Sequence, residues 1–86
     1  MRYIIVSYRN MSERQIIESC LSQNGFQQFG DSGMNLVGRH TENITPERLS
    51  EFTRLLEIAL HIRDDNLGFA VGIGDENSPE VRNAGI

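Results

Sequence analysis

The chain has 86 residues, 38% of them apolar and 23% charged, which describes one globular domain with a single core and no room for an enclosed substrate cavity. The net charge of −4 comes with eight scattered arginines and no lysine, so there is no electrostatic footprint for nucleic acid and nucleic acid is not expected as a partner. No apolar run approaches the ~18 residues that cross a membrane, the first residues lack the pattern of a signal peptide, and the single cysteine, Cys20, has no internal disulfide partner, so the expected compartment is the cytoplasm.

Arg2 to Tyr8 is a β-branched and aromatic run that reads as a central strand. Ser12-Glu13-Arg14-Gln15 has the spacing of a capping box, with Met11 and Ile16 placed as a hydrophobic staple, so a helix is expected to start at Ser12. Ile16, Ile17, Cys20 and Leu21 form its apolar face. Asn24-Gly25 stops it, with Gly25 free to turn left-handed and Phe26 folding back on Leu21. Phe26 to Phe29 and Met34 to Arg39 then read as the two strands of a hairpin, joined by the turn Gly30-Asp31-Ser32-Gly33.

After the polar linker at residues 40–43, Thr45 caps a second helix, Pro46 takes its first position and Glu47 meets the positive end of the dipole. Leu49, Phe52, Leu55, Leu56, Ala59, Leu60 and Ile62 form its stripe, and Asp64-Asp65-Asn66 are expected to end it. Leu67 to Ile73 is the last strand, with Leu67, Phe69, Val71 and Ile73 on one side and only Gly68, Ala70 and Gly72 on the other. Small side chains there permit close approach of a helix, a partner chain or a ligand, and the simplest occupant is a helix backbone laid on the sheet. Residues 75–86 are polar and read as a tail or a one-turn helix opened by Ser78-Pro79.

The order strand, helix, strand, strand, helix, strand predicts an α+β domain over residues 1–74. It is the ferredoxin-like βαββαβ arrangement, a four-stranded antiparallel sheet with two helices on one face. That fold carries many unrelated functions, so function has to come from a site.

The candidate sites are sparse. His40 and His61 do not pair with each other or with Cys20 at metal-ligand spacing, and no zinc site or other cofactor is expected. His61 reads as a partly buried helix histidine, and Cys20 as a small hydrophobe with no basic neighbour to lower its pKa. The carboxylates Asp31, Asp64, Asp65 and Asp75 are the candidate ligands for a divalent ion, which needs at least two convergent oxygens. Solvated charge at a helix end is the simpler account of Asp64 and Asp65.

Two family resemblances follow from these residues. Arg2-Tyr3-Ile4-Ile5-Val6-Ser7-Tyr8, Ser12-Glu13-Arg14, Gly25-Phe26-Gln27-Gln28, Thr45-Pro46-Glu47 and Asp64-Asp65-Asn66-Leu67 resemble the small CRISPR adaptation nucleases and virulence-associated protein D. The resemblance implies a ferredoxin-like fold, dimers formed through the sheets, and a catalytic aspartate after the first strand. Arg9 stands at that position, and an arginine cannot hold a metal, so the resemblance implies a fold without the nuclease activity. Phe29-Gly30-Asp31-Ser32-Gly33-Met34-Asn35-Leu36-Val37 and Val71-Gly72-Ile73-Gly74 look like segments of nucleotidyl-cyclase palm domains, which also need an acid after the first strand.

The leading expectation is a non-enzymatic regulatory or protein-interaction module that forms a homodimer, with Arg9, Gly68, Ala70 and Gly72 as its contact residues. The alternatives are a metal-dependent nuclease or nucleotide-processing palm using Asp31 with Asp64, Asp65 or Asp75, and a phage- or plasmid-encoded inhibitor whose acidity matches a basic partner surface.

Overall fold

The β-branched run near the start of the chain becomes β1 (Tyr3–Tyr8), an inner strand of the sheet. The computed structural model describes residues 2–60 and 69–85. After β1 come α1 (Met11–Gln23), β2 (Gln27–Ser32), β3 (Asn35–Arg39), α2 (Pro46–Leu60), β4 (Phe69–Gly74) and α3 (Pro79–Ala84). The expected α+β class and four-stranded antiparallel sheet are present, with a third helix added, and the strands lie in the order β2-β3-β1-β4.

The period of two along β1 sorts its side chains between two clusters. Ile4, Val6 and Tyr8 point into the main core with Ile17, Cys20 and Leu21 of α1, Leu36 of β3, and Phe52 and Leu56 of α2. Val71 and Ile73 of β4 pack against that same cluster. Tyr3 points the other way and meets Val37 of β3 and Val81 of α3, with Ile5 and Ala84 at the margin. The helices α1 and α2 therefore share one face, as expected, while α3 covers part of the opposite one. Of the two readings of residues 75–86, a tail or a short helix opened by Ser78-Pro79, the helix forms, and Val81 anchors it with no exposed surface.

Four local expectations need correction. The cap of α1 is Asn10 and not Ser12: Asn10 Oδ1 accepts from the Ser12 N–H at 3.1 Å, and the helix starts at Met11. Asparagine ranks with serine as an N-cap, so two cap candidates two residues apart compete, and here the earlier one wins. The expected staple does not bury, since Met11 is 58% and Ile16 40% exposed. The hairpin turn is shorter than the glycine and serine content suggests. Gly30, Asp31 and Ser32 stay in β2 opposite Val37, Leu36 and Asn35, leaving Gly33-Met34 as a two-residue loop. Gly33 takes φ +64, the positive value that twist-compatible hairpin turns require. The second-helix stripe narrows as well, because Leu55 lies 38% exposed. Leu67, Gly68, His61, Ile62 and the helix end at Asp64-Asp65-Asn66 lie outside the described residues.

The expected stop of α1 and start of α2 are both present. The Phe26 N–H donates to Leu21 O at 3.0 Å and the Gly25 N–H to Ser22 O at 3.3 Å, the paired bonds of a Schellman stop, with Gly25 at φ +86. Phe26 is thereby turned inward, 4% exposed, with its ring 5.4 Å from that of Phe52. At α2, Thr45 Oγ1 accepts from the Arg48 N–H at 3.1 Å, and Ile44 is buried.

Gly25 offers a direct test of this stop. A Cβ there would sit 3.2 Å from His40 Nε2 in a left-handed backbone, whereas one at Gly33 would meet nothing within 4 Å. Gly25→Ala is expected to cost about 1–3 kcal/mol, and Gly33→Ala about 1 kcal/mol from backbone strain alone. Thermal unfolding followed by circular dichroism should rank Gly25→Ala as the less stable variant.

Candidate functional site

Two of the expected contact residues, Ala70 and Gly72, lie on the sheet face opposite α1 and α2. Ala70 of β4 is the register partner of Ser7, Gly72 of Ile5 and Gly74 of Tyr3. Antiparallel partners point to the same side, so Ala70, Gly72 and Gly74 share the face that carries Tyr3, Ile5 and Val37. No helix backbone lies on Gly72: an added Cβ there meets nothing within 4 Å, and Ala70 is exposed. The expectation of a helix packed against the small residues is corrected on that point. The chain closes only at Gly74, where a Cβ would meet Ile5 Cδ1 at 2.8 Å and Ser78 Oγ at 2.9 Å as the backbone turns into α3. Gly68 lies outside the described residues.

The uncovered part of this face extends across the sheet. Ser7 Oγ donates to Asn35 Oδ1, and Asn35 Nδ2 donates to Ser32 O at 3.1 Å. These groups satisfy one another along a row running from β2 through β3 and β1 to Ala70. Ser7 and Asn35 carry no motif that marks them from the sequence. Only the alternation of β1 and β3, combined with the register, puts them beside Ala70. Arg9 is exposed in the connection between β1 and α1.

The sheet ends differently at its two sides. On one side β2 has an irregular register between Gln27 and Gly30 and carries Asp31. On the other, β4 pairs with β1 without a break from Tyr3↔Gly74 to Tyr8↔Phe69. Its sequence, Phe-Ala-Val-Gly-Ile-Gly, has no charge and no proline. Natural edge strands are usually blunted by a lysine, a proline, a bulge or a cover, and β4 contains none of the first three.

Among the described residues, the candidate carboxylates Asp31 and Asp75 are not gathered. Asp31 Oδ2 pairs with Arg14 Nη2 at 2.5 Å, and Arg14 Nε also donates to Glu18 Oε1 at 2.9 Å, tying α1 to β2. The Glu18 hydrogen bond, followed by the charges of Asp31 and Glu18, outweighs desolvation and raises the Arg14 guanidinium pKa above its ordinary value. Asp31 Oδ1 is buried without a hydrogen-bond partner among the described residues. Asp75 follows β4, at the other side of the sheet, where its Oδ1 accepts from the Asn77 N–H at 2.9 Å as part of a turn. Asp64 and Asp65 lie outside the described residues. Among the described residues, no three His, Cys, Asp or Glu side chains converge on a cation-sized point. Cys20 is buried in the main core, and that burial pushes its thiol pKa up, which keeps it a poor nucleophile.

No family model matches the chain, and no curated protein or solved structure matches it significantly. Among the described residues, no helix is long and apolar enough to cross a membrane.

Proposed function

We propose that this chain is a non-enzymatic interaction module with a ferredoxin-like core, and that it forms a two-fold homodimer by pairing β4 with the β4 of a second copy. The strand order β2-β3-β1-β4, with helices after β1 and β3, supports the ferredoxin-like assignment, α3 being an addition at its end. The observation that carries the dimer is β4 itself, an uncharged, unbulged strand at the side of the sheet.

A strand of this kind offers backbone N–H and C=O groups to another strand. Pairing with itself in antiparallel sense satisfies a two-fold axis, since each copy then presents the same patch. The half-buried Val71 and Ile73 of both copies would meet on the helix-bearing face. On the other face Ala70 and Gly72 would leave a smooth, eight-stranded surface. The pairing of Asp31 with Arg14 favours a structural role for that carboxylate over the metal-dependent alternative.

Sedimentation equilibrium over a concentration series tests the reading. The expected result is a mass of two chains that dissociates only on dilution. A single-chain mass at every concentration would overturn it.

A further inference from the structure

Asparagine followed by glycine occurs once in the chain, at Asn24-Gly25. Such a pair is chemically labile wherever the backbone is free. The Gly25 nitrogen can attack Asn24 Cγ, because glycine has no side chain to hinder the approach. The new N–C bond closes a five-membered succinimide, and the side-chain nitrogen leaves as ammonia. Water then adds to either imide carbonyl and breaks its bond to nitrogen, giving aspartate or the β-linked isoaspartate. No oxidant or cofactor takes part.

The fold sets three obstacles on this path. The first is the direction of the nucleophile. Ring closure needs the Gly25 nitrogen turned toward the Asn24 side chain, nearly eclipsing the Cα–Cβ bond. At ψ 16° it lies close to the Asn24 backbone nitrogen instead. The second is the proton on that nucleophile. The nitrogen attacks only after losing it, and the Gly25 N–H donates to Ser22 O at 3.3 Å. The third is the electrophile. Asn24 Nδ2 donates to Cys20 O at 2.7 Å, which points the carboxamide back along α1. The backbone on either side is also tied. The Asn24 N–H is shared between Cys20 O and Leu21 O at 3.2 Å each, and the Phe26 N–H donates to Leu21 O at 3.0 Å.

We infer that Asn24-Gly25 is a deamidation site that the stop of α1 holds closed and that opens when the stop comes apart. Closing is fast beside this chemistry, so the rate of conversion follows the fraction of chains in which the stop is open. The product does not restore the stop. Aspartate has no side-chain N–H for Cys20 O, and it sets a negative charge against the carbonyls that end α1. Isoaspartate also adds a carbon to the backbone between α1 and Gly25, which displaces the Phe26 N–H from Leu21 O. Conversion is therefore a permanent mark of opening, and it removes the device that turns Phe26 into the core. The site joins α1 to β2, at the opposite side of the sheet from β4, so it does not depend on the proposed dimer.

The test follows the whole chain at mildly alkaline pH, in buffer and in urea concentrated enough to unfold it. Peptide mapping by mass spectrometry locates and counts the conversion. Asn24 is expected to convert about tenfold or more slowly in buffer than in urea. Asn24→Gln should abolish the signal from this position in urea, because glutamine must close a six-membered ring. That variant is measured unfolded, so its own stability does not enter. Chains converted in urea and returned to buffer should unfold at a lower temperature than unconverted chains treated alike, and Asn24→Asp should show a fall in the same direction. Equal rates at Asn24 in buffer and in urea would overturn the inference, and so would converted chains that unfold at the parent temperature.

Discussion

Leu21→Ala is expected to remove about 2–5 kcal/mol of stability, whereas Ile16→Ala on the same helix removes less than about 1 kcal/mol. Leu21 has no exposed surface, and its Cδ2 lies where a Cβ on Gly38 would be only 3.3 Å away, so the sheet backbone is already in close contact with it. Truncation leaves a cavity enclosed by Ile4, Gly38 and Phe26 that backbone cannot collapse to fill. Ile16 is 40% exposed, and alanine is the better helix former, so lost contact and gained propensity partly offset each other. A domain of this size has about 5–10 kcal/mol in total. The urea midpoint of Leu21→Ala should therefore fall by a third or more at unchanged slope, with that of Ile16→Ala close to the parent. Equal midpoints for the two variants would refute the inward and outward assignment of α1.

The contrast between these two residues shows which parts of the fold were legible. Helix ends are encoded by neighbours in sequence, so the stop at Gly25-Phe26 and the start at Thr45-Pro46 were readable, and each forms the bonds expected of it. Asn10 and Ser12 are both competent caps, and nothing within the local sequence decides between them. The hairpin failed for a related reason. Gly30 to Gly33 satisfies the composition of a turn, but Asp31 gains an ion pair with Arg14 by staying in the strand, and that partner comes from a helix packed on the sheet. The face carrying Ala70 and Gly72 was visible as an alternation. Its openness was not, because it depends on where α3 stops covering the sheet. The cleft at the end of the sheet away from the hairpin was least legible of all. Arg2, Gln27 and Arg39 are far apart in the chain and meet only through the register of three strands.

Placing lysines on β4 should separate the proposed dimer into monomers without unfolding them. In the double variant Ala70→Lys with Gly72→Lys, both side chains stand on the open face, since Ala70 is exposed and a Cβ at Gly72 meets no atom within 4 Å. The folded monomer should change by no more than about 0.5 kcal/mol. For the apolar faces of two β4 strands to stay continuous, opposed residues must share a face. Lysine then faces lysine directly, with Cβ atoms about 4.5–5.5 Å apart, or diagonally. Four such charges along the axis are expected to raise the dissociation constant by roughly tenfold to a hundredfold. Salt should recover part of the loss, because the cause is repulsion between partly exposed charges rather than damage to the strand. Ile58→Lys supplies the matched control: it adds one charge at a residue on α2 that is 65% exposed and should leave the mass unchanged. A dimer that survives the lysine pair on β4 but dissociates with Ile58→Lys would move the interface to the helical side and refute edge pairing.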